Sequence, residues 1–130
     1  MATRVTISTK GFEELLERIA EVGQDVDAAA QRALAAGSQV ARAGMVRRVP
    51  KDTHNLERHI RATEVKQDGN YHYVEIGVID ADADTARYGN AQEYGTSSMA
   101  AQPYIRPTMA EDAGKIRKAM RESLEQDGLL

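Results

Sequence analysis

The sequence predicts an α+β fold in which helices pack on one small antiparallel sheet. Three observations lead to this class. Apolar residues recur at helical spacing in a long N-terminal stretch and again near the C-terminus. Between these stretches, a tight turn is followed by a run rich in Tyr, Val and Ile. Because a chain of 130 residues folds around one core, we expect a single domain over residues 1–130.

The first predicted element is a short strand in RVTIST, from Arg4 to Thr9. Val5 and Ile7 alternate there with polar residues, so both lie on one face, and Gly11 closes the stretch. We expect this strand to join the antiparallel sheet.

A long N-terminal helix, or two helices joined end to end, is predicted between Phe12 and Pro50. Its apolar residues repeat at three-and-four spacing, which keeps one stripe on one side. Gly23 predicts a kink or break, since glycine costs about 1 kcal/mol inside a helix, and Asp25 is a suitable N-cap. Pro50 ends the element, because the residue before a proline is pushed away from helical angles.

A β-hairpin follows the helix. Ile60 to Lys66 forms its first arm, Asp68 and Gly69 suit a tight reversal, and YHYVEIGVI supplies a returning arm of strand-favouring residues. Beyond the hairpin, Ala86 to Tyr94 has helical character over a short length. A C-terminal amphipathic helix is predicted from Thr108 onward. Its apolar positions are Met109, Ala113, Ile116, Met120 and Leu124.

Composition excludes several classes of protein. A formal net charge of −3 and a pI near 5.6 argue against a chain that coats nucleic acid with its whole surface, because phosphate binding needs excess Lys and Arg. Without cysteine, the chain has no disulfide framework, no thiolate nucleophile and no Cys-ligated zinc. The N-terminus lacks the apolar stretch of a signal peptide, and no run of about 18 apolar residues occurs. We therefore expect a soluble protein made in a cytoplasm, without a membrane partner.

Two groups of residues were weighed as metal ligands. The stretch DADAD, from Asp80 to Asp84, alternates like a calcium loop. Its sixth position is Thr85 instead of glycine and its twelfth is Ala91 instead of glutamate, so a solvated acidic turn is favoured over a cation site. The histidines lack the spacing of a zinc site, and we expect them on the surface near a turn and a strand. They are His54, His59 and His72. We predict no cofactor.

No motif for catalysis is present. GTSSM lacks the second glycine of a GxSxG elbow, and AAGSQVARAG lacks the Lys-Ser/Thr pair of a phosphate-binding loop. The alternative of a hydrolase that uses Thr96 or Ser97 with a histidine has no constellation to support it. We expect a protein that is not an enzyme and that has no small-molecule substrate.

Charge is distributed unevenly along the chain. Residues Phe12 to Gln31 carry six acidic side chains against Arg18 alone, whereas Val40 to Lys66 carry seven basic side chains against three acidic ones. Three interpretations remain open: a solvated helix face, head-to-tail contact between copies, or a basic rim that faces nucleic acid. The basic cluster consists of Arg42, Arg47, Arg48, Lys51, Arg58, Arg61 and Lys66.

The stretch EYGTSSMAAQPYIRP, from Glu93 to Pro107, carries apolar side chains inside a loop-like composition. Pro103 and Pro107 stiffen the chain into an extended path, and Gly95 favours a turn with positive φ. We expect an extended loop or arm at about residues 95–107. Its apolar side chains either fold into the domain's own core or are buried against another copy, because long loops in compact domains are often functional.

The stretch YGNAQEYGTSSMAAQPYIRPTM, from Tyr88 to Met109, resembles the signature of the gene-product-ten-like family of small tail components in long-tailed bacteriophages. In that family a helix ends in Glu, an aromatic, Gly and Thr, and a polar loop leads to Gln-Pro-aromatic and a second Pro. The matching residues here are Glu93, Tyr94, Gly95, Thr96, Gln102, Pro103, Tyr104, Arg106 and Pro107. The passage DTHNLERHI after Pro50 is also similar, with Thr53, Leu56 and Ile60 in place, but it has His54 where the family commonly has Gly.

The resemblance implies a structural virion protein: a minor tail or neck component that forms a ring at the head–tail junction and helps complete the tail or join it to the head. The implied location is the tail or neck of the virion, after assembly in the bacterial host cytoplasm. The implied partners are copies of the chain itself, other neck and tail proteins, and non-specific DNA in the channel. The alternative function rests on the charge pattern instead: a DNA-binding accessory protein that uses the basic cluster from Arg42 to Lys66. The expected subunit interface is formed by Tyr94, Gly95, Thr96, Met99, Pro103, Tyr104, Ile105, Arg106 and Pro107.

Overall fold

The structure is a computed structural model and describes residues 3–51 and 54–128. It is an α+β fold of six helices and a four-stranded antiparallel sheet within those residues, as the sequence predicts. The elements in chain order are β1 (Arg4–Ser8), α1 (Glu13–Glu21), α2 (Val26–Arg48), α3 (Asn55–Arg58), β2 (Ile60–Ala62), β3 (Lys66–Asp68), β4 (Tyr71–Val78), α4 (Ala83–Tyr94), α5 (Ile105–Glu111) and α6 (Ala113–Asp127).

The N-terminal helical stretch is two helices with a break at Gly23. This residue has a φ of 79°, which lies in the left-handed region where a side chain would be strained. Asp25 then caps α2, because its carboxylate accepts a hydrogen bond from the Ala28 backbone N–H at 3.1 Å. The predicted break and the predicted cap are both present.

The sheet is organised around β4. β1 pairs with one side of β4, while β2 and β3 pair with its other side. Ala62 pairs with Ile76 and Lys66 pairs with Tyr73. The chain therefore advances four positions on the side of β2 and β3 but only three on β4, and the extra residue forms a bulge between β2 and β3. Thr63 bridges that bulge, because its hydroxyl accepts the Glu75 backbone N–H at 3.0 Å. The expected hairpin is therefore present, with its first arm interrupted.

The core lies between the sheet and α6, with α2 running through it. α2 packs on the sheet and on α6, and the small residues on its buried face allow these elements to lie close to it. A Cβ placed on Gly37 would lie 2.8 Å from the Met120 Cγ, which shows how tightly α6 sits against α2 at this point. The largest completely enclosed side chains include Leu34 and Met45 on α2, Ile76 on β4, Leu124 on α6 and, from α1, Ile19.

The C-terminal half is more helical than the sequence predicts. α4 starts at Ala83, three residues before the expected helix, because Asp82 caps it by accepting the Thr85 hydroxyl at 2.6 Å and the Thr85 N–H at 3.1 Å. The C-terminal helical region starts at Ile105 instead of Thr108, and Asp112 divides it into α5 and α6. Pro107 falls in the first turn of α5, where proline costs no hydrogen bond. Among residues 3–51 and 54–128, no helix has the length and apolar character needed to cross a bilayer.

Candidate assembly surface

The buried carboxylate of Glu93 holds the segment between α4 and α5. It accepts hydrogen bonds from three successive backbone N–H groups at the start of α5: Tyr104 at 2.9 Å, Ile105 at 2.7 Å and Arg106 at 3.0 Å. These N–H groups have no partner within the helix, and the positive end of the helix dipole favours a carboxylate there. Glu93 therefore joins the last turn of α4 to the first turn of α5. We call this arrangement the Glu93 clamp.

The ionisation of Glu93 follows from these contacts. Desolvation by burial raises its pKa, but the backbone N–H groups and the Arg106 guanidinium together outweigh that effect and lower the pKa below its ordinary value. The Arg106 Nε donates to the Glu93 carboxylate at 2.8 Å, and the other end of the same guanidinium donates to the Glu93 backbone carbonyl. Glu93 is therefore charged at neutral pH and serves the structure as an anion.

Tyr104 and Ile105 are buried inside this chain, with 0% and 3% of their surface exposed. The Tyr104 hydroxyl donates to the Gly89 carbonyl at 3.0 Å, and burial raises the pKa of that phenol. The expectation that these two side chains are buried against another copy is therefore wrong. Tyr104 packs closely against α4, since a Cβ on Gly89 would lie 3.0 Å from the Tyr104 hydroxyl.

The segment between the two clamped helices is a compact turn instead of an extended arm. Gly95 has a φ of 78°, and Thr96 pairs with Met99 through a backbone hydrogen bond of 2.9 Å from the Thr96 N–H. At the far end, the Gln102 N–H donates to the Gln92 carbonyl at 2.7 Å. We call residues 94–103 the assembly turn. The last residues of the expected arm, 105–107, belong to α5.

Large apolar side chains are exposed on and next to this turn. Tyr94 is 43% exposed and Met99 is 38% exposed, and Tyr88 on α4 is also 38% exposed. The Arg106 guanidinium lies 4.8 Å from the centre of the Tyr94 ring, which fixes that ring at the surface. A shallow groove of about 600 Å³ runs along the adjoining outer face of α4 and ends at Gly95 and Thr96. The structure therefore brings Tyr94, Gly95, Thr96 and Met99 together on one exposed surface, whereas Pro103 and Pro107 are half-buried.

The basic cluster is engaged mostly within the chain. Arg47 and Arg48 both reach the buried Asp112 carboxylate at 3.0 Å, and Arg48 also pairs with Glu111 at 2.8 Å. The Arg48 hydrogen bond is the main cause that lowers the pKa of Asp112, and Asp112 in turn raises the pKa of Arg48. These pairs connect the C-terminal end of α2 to the junction of α5 and α6.

The other members of the cluster also donate hydrogen bonds within the chain. The Arg42 Nε donates to the Ile60 carbonyl at 2.8 Å, and the Arg61 Nε donates to the Arg58 carbonyl at 3.3 Å. Lys51 bonds to the carbonyls of Val46 and Val49. Arg58 bonds to Asn55, and Lys66 bonds to Glu75. The structure thus disperses the basic cluster over α2, the segment after it that contains Lys51, α3 and two strands, and gives each member an internal partner.

The histidines do not share a site. His54 pairs with Glu57 at 2.9 Å and the His59 ring contacts the Asn55 carbonyl at 2.7 Å. His72 is buried, with 7% of its surface exposed, and its Nε2 lies 2.9 Å from the Asp27 carboxylate. The expectation that all three lie on the surface is wrong for His72, which faces the core with Val74 and Ile76 on β4. No cluster of metal-ligating side chains occurs in residues 3–51 and 54–128.

His54 occupies an unusual backbone conformation. Its φ of 61° and ψ of 5° place it in the left-handed region, immediately before α3. That region costs a non-glycine residue roughly 1–2 kcal/mol. Glycine adopts a positive φ without this cost, which explains why the family commonly has glycine where this chain has His54. Thr53 lies outside the described residues, while Leu56 and Ile60 are both buried in the core.

The chain matches the family described as "Bacteriophage HK97-gp10, putative tail-component" over residues 13–95. This range covers more than half of the chain, from α1 to the start of the assembly turn. No curated protein and no solved structure matches the chain. The chain belongs to the HK97-gp10-like family of bacteriophage tail components.

Proposed function

We propose that this protein is a minor tail or neck component that forms a ring at the head–tail junction and aids tail completion or head–tail joining. Family membership supports a structural tail role, and that role implies a place in the virion. The protein acts by assembly and uses no cofactor. Copies of the chain and other neck and tail proteins are its partners, and it joins them in the bacterial host cytoplasm.

The assembly turn is the proposed contact surface. The observation that carries this assignment is that Tyr94 and Met99 are exposed, although the Glu93 clamp holds the backbone beneath them rigid. A rigid surface loses little conformational entropy on binding, and exposed aromatic and Met side chains are enriched in protein interfaces. The small residues along the outer face of α4 let a partner approach closely beside the turn.

Charge supplies a second, complementary pair of surfaces for ring closure. α1 presents four exposed acidic side chains on a nine-residue helix. Exposed basic side chains lie elsewhere on the same chain, on α3 and β2. A ring needs two different patches that match, because a head-to-tail interface repeats around the axis. Such charge pairing mainly steers two copies into the correct orientation as they associate, and it adds less to the affinity of the final contact.

The test combines placement in the particle with assembly of variants. Purified virions should contain the chain at the head–tail junction when imaged with a tagged copy, and its absence from particles would overturn the proposal. Met99→Asp and Tyr94→Asp should reduce incorporation into particles while the isolated protein keeps its helical circular dichroism. Gln67→Asp is the control, because Gln67 is exposed on β3 and lies outside both the assembly turn and the charged surfaces of α1, α3 and β2. Equal incorporation of all three variants would exclude the turn as the contact surface.

A further inference from the structure

β1 leaves one edge of the sheet open. The Val78 N–H donates to the Thr3 carbonyl at 2.9 Å and the Thr9 N–H donates to the His72 carbonyl at 3.0 Å, so the odd-numbered residues of this strand bond to β4. In an antiparallel ladder the alternate residues direct their N–H and C=O groups the other way. The outward residues are Arg4, Thr6 and Ser8, and within residues 3–51 and 54–128 no strand pairs with that edge.

Several features protect the opposite edge of the sheet from pairing with another strand. β2 and β3 have three residues each and are separated by a bulge, and such features hinder edge-to-edge pairing. The outward carbonyl of Ile60 already accepts the Arg42 guanidinium at 2.8 Å. Charged Lys66 and Asp68 flank the outward residue of β3. β1 has five residues, no bulge, no proline and one charge, so the two edges differ sharply in their capacity to bind another strand.

An apolar groove lies beside the open edge. It has a volume of about 220 Å³ and runs between β1 and the helices α5 and α6. Ile7, Met109, Ile116 and Met120 supply apolar walls, and Arg117 stands at the rim with its guanidinium 4.5 Å from the Phe12 ring. A strand added to β1 would direct alternate side chains into this groove, because side chains alternate between the faces of a sheet.

We infer that β1 binds β1 of a second copy of this chain, antiparallel and centred on Thr6. A second copy offers one unprotected edge among its described residues, and that edge is β1 itself. Centring on Thr6 sets Arg4 opposite Ser8 and Val5 opposite Ile7, so no charge faces a like charge. The outward N–H and C=O groups then form hydrogen bonds across the axis, and the apolar pairs fall on the side of the groove.

This contact is isologous and closes at two copies. It therefore does not build a ring, and it describes the protein in solution before assembly. The inference stands on the sheet edges alone and does not rest on the proposed tail function. A dimer of this kind would keep the open edge of β1 covered, which limits aggregation through that edge.

Proline substitution tests the contact by sedimentation of the purified full chain. Thr6→Pro removes an outward N–H that β4 does not use, and each dimer loses two backbone hydrogen bonds at its centre. We expect a concentration-dependent dimer for the unmodified chain and a dimer dissociation constant raised about tenfold or more for Thr6→Pro. Gln67→Pro is the matched control on the protected edge, and it should leave the dimer unchanged.

Cross-linking provides a second readout that does not depend on the stability of the proline variants. The chain has no cysteine, so Thr6→Cys and Gln67→Cys each introduce a single thiol. A short dithiol-reactive reagent should convert Thr6→Cys to covalent dimer and leave Gln67→Cys monomeric. A chain that stays monomeric at every concentration, a dimer insensitive to Thr6→Pro, or equal cross-linking at both positions would each overturn the inference.

Discussion

The Glu93 carboxylate lies 2.7 Å from the backbone nitrogen of Ile105, twelve positions later in the chain. This bond ties the end of α4 to the start of α5 and defines the base of the assembly turn. Its loss should open the turn and also expose the side chains that α5 anchors in the core. The bond therefore connects the stability of the domain to the shape of its proposed contact surface.

Glu93→Gln should lower the free energy of unfolding by about 2–4 kcal/mol. The amide retains one acceptor oxygen but places an NH₂ group against N–H donors and a guanidinium, which leaves buried donors unpaired. Urea denaturation at pH 7 measures the change. Glu111→Gln is the control, since it neutralises a more exposed carboxylate in the same region. Similar losses in the two variants would contradict a special role for Glu93.

The pH dependence of stability should also change in Glu93→Gln. The folded-state pKa of Glu93 lies below its ordinary value of 4.5. Its contribution is therefore complete above the unfolded-state pKa and is lost as the pH falls through the folded-state pKa. The unmodified chain should lose more stability than Glu93→Gln between pH 7 and about pH 3, where both are compared by urea midpoint. If the stability of both proteins falls by the same amount over this pH range, Glu93 has the same pKa in the folded and unfolded states.

Tyr104→Asp should unfold the protein, whereas Tyr94→Asp should not. Tyr104 is fully buried, so the substitution leaves a cavity and a buried charge and costs about 4 kcal/mol or more. Tyr94 is exposed, and its replacement should change the free energy of unfolding by less than about 1 kcal/mol. Thermal unfolding, monitored by circular dichroism, distinguishes the two variants. A folded Tyr104→Asp monomer would show that Tyr104 is not part of the core.

His54→Gly should be more stable than His54→Ala by about 1 kcal/mol. Both variants lose the bond to Glu57, so their difference isolates the backbone, and glycine occupies a φ of 61° without strain. Urea midpoints of the two purified variants give the difference. If alanine is equally stable, the left-handed conformation carries no cost at this position.

Gly44→Ala should destabilise the protein by about 2 kcal/mol, the usual result of overpacking. The added methyl would lie 2.7 Å from the Thr108 Cγ2 and would press on the Asp112 carboxylate that Arg48 binds. Gly114→Ala is the contrast, because its methyl meets no atom within 4 Å and alanine favours the α6 helix. Differential scanning calorimetry should show a lower Tm for Gly44→Ala and an equal or higher Tm for Gly114→Ala.

Local patterns in the sequence predict most of the elements. The break at Gly23, the hairpin and β1 follow from glycine placement and from alternation, which involve neighbours in sequence. The same alternation would have placed His72 in the core, because it shares a face of β4 with Val74 and Ile76. The polarity of histidine favours the surface, but its position in the alternation of β4 places it in the core.

The contacts that the sequence did not predict are those between distant segments. The burial of Tyr104 depends on α4 passing beside α5, and the engagement of Arg47 and Arg48 depends on Asp112, more than sixty positions away. The resemblance includes Glu93 among its matching residues but implies no role for its carboxylate. An acidic residue that precedes a loop can bind the free N–H groups of the next helix. This role can be assigned to Glu93 only when the start of α5 at Ile105 is known.

The Glu93 clamp fixes both ends of the assembly turn. Its bonds close the base of the assembly turn, so residues inserted between Thr96 and Ala101 would lengthen a loop whose ends are already fixed. Because the entropy cost of loop closure grows slowly with length, each doubling adds only about 0.6 kcal/mol. The tip of the turn can therefore vary in length and composition while the ends that Glu93 holds stay in place.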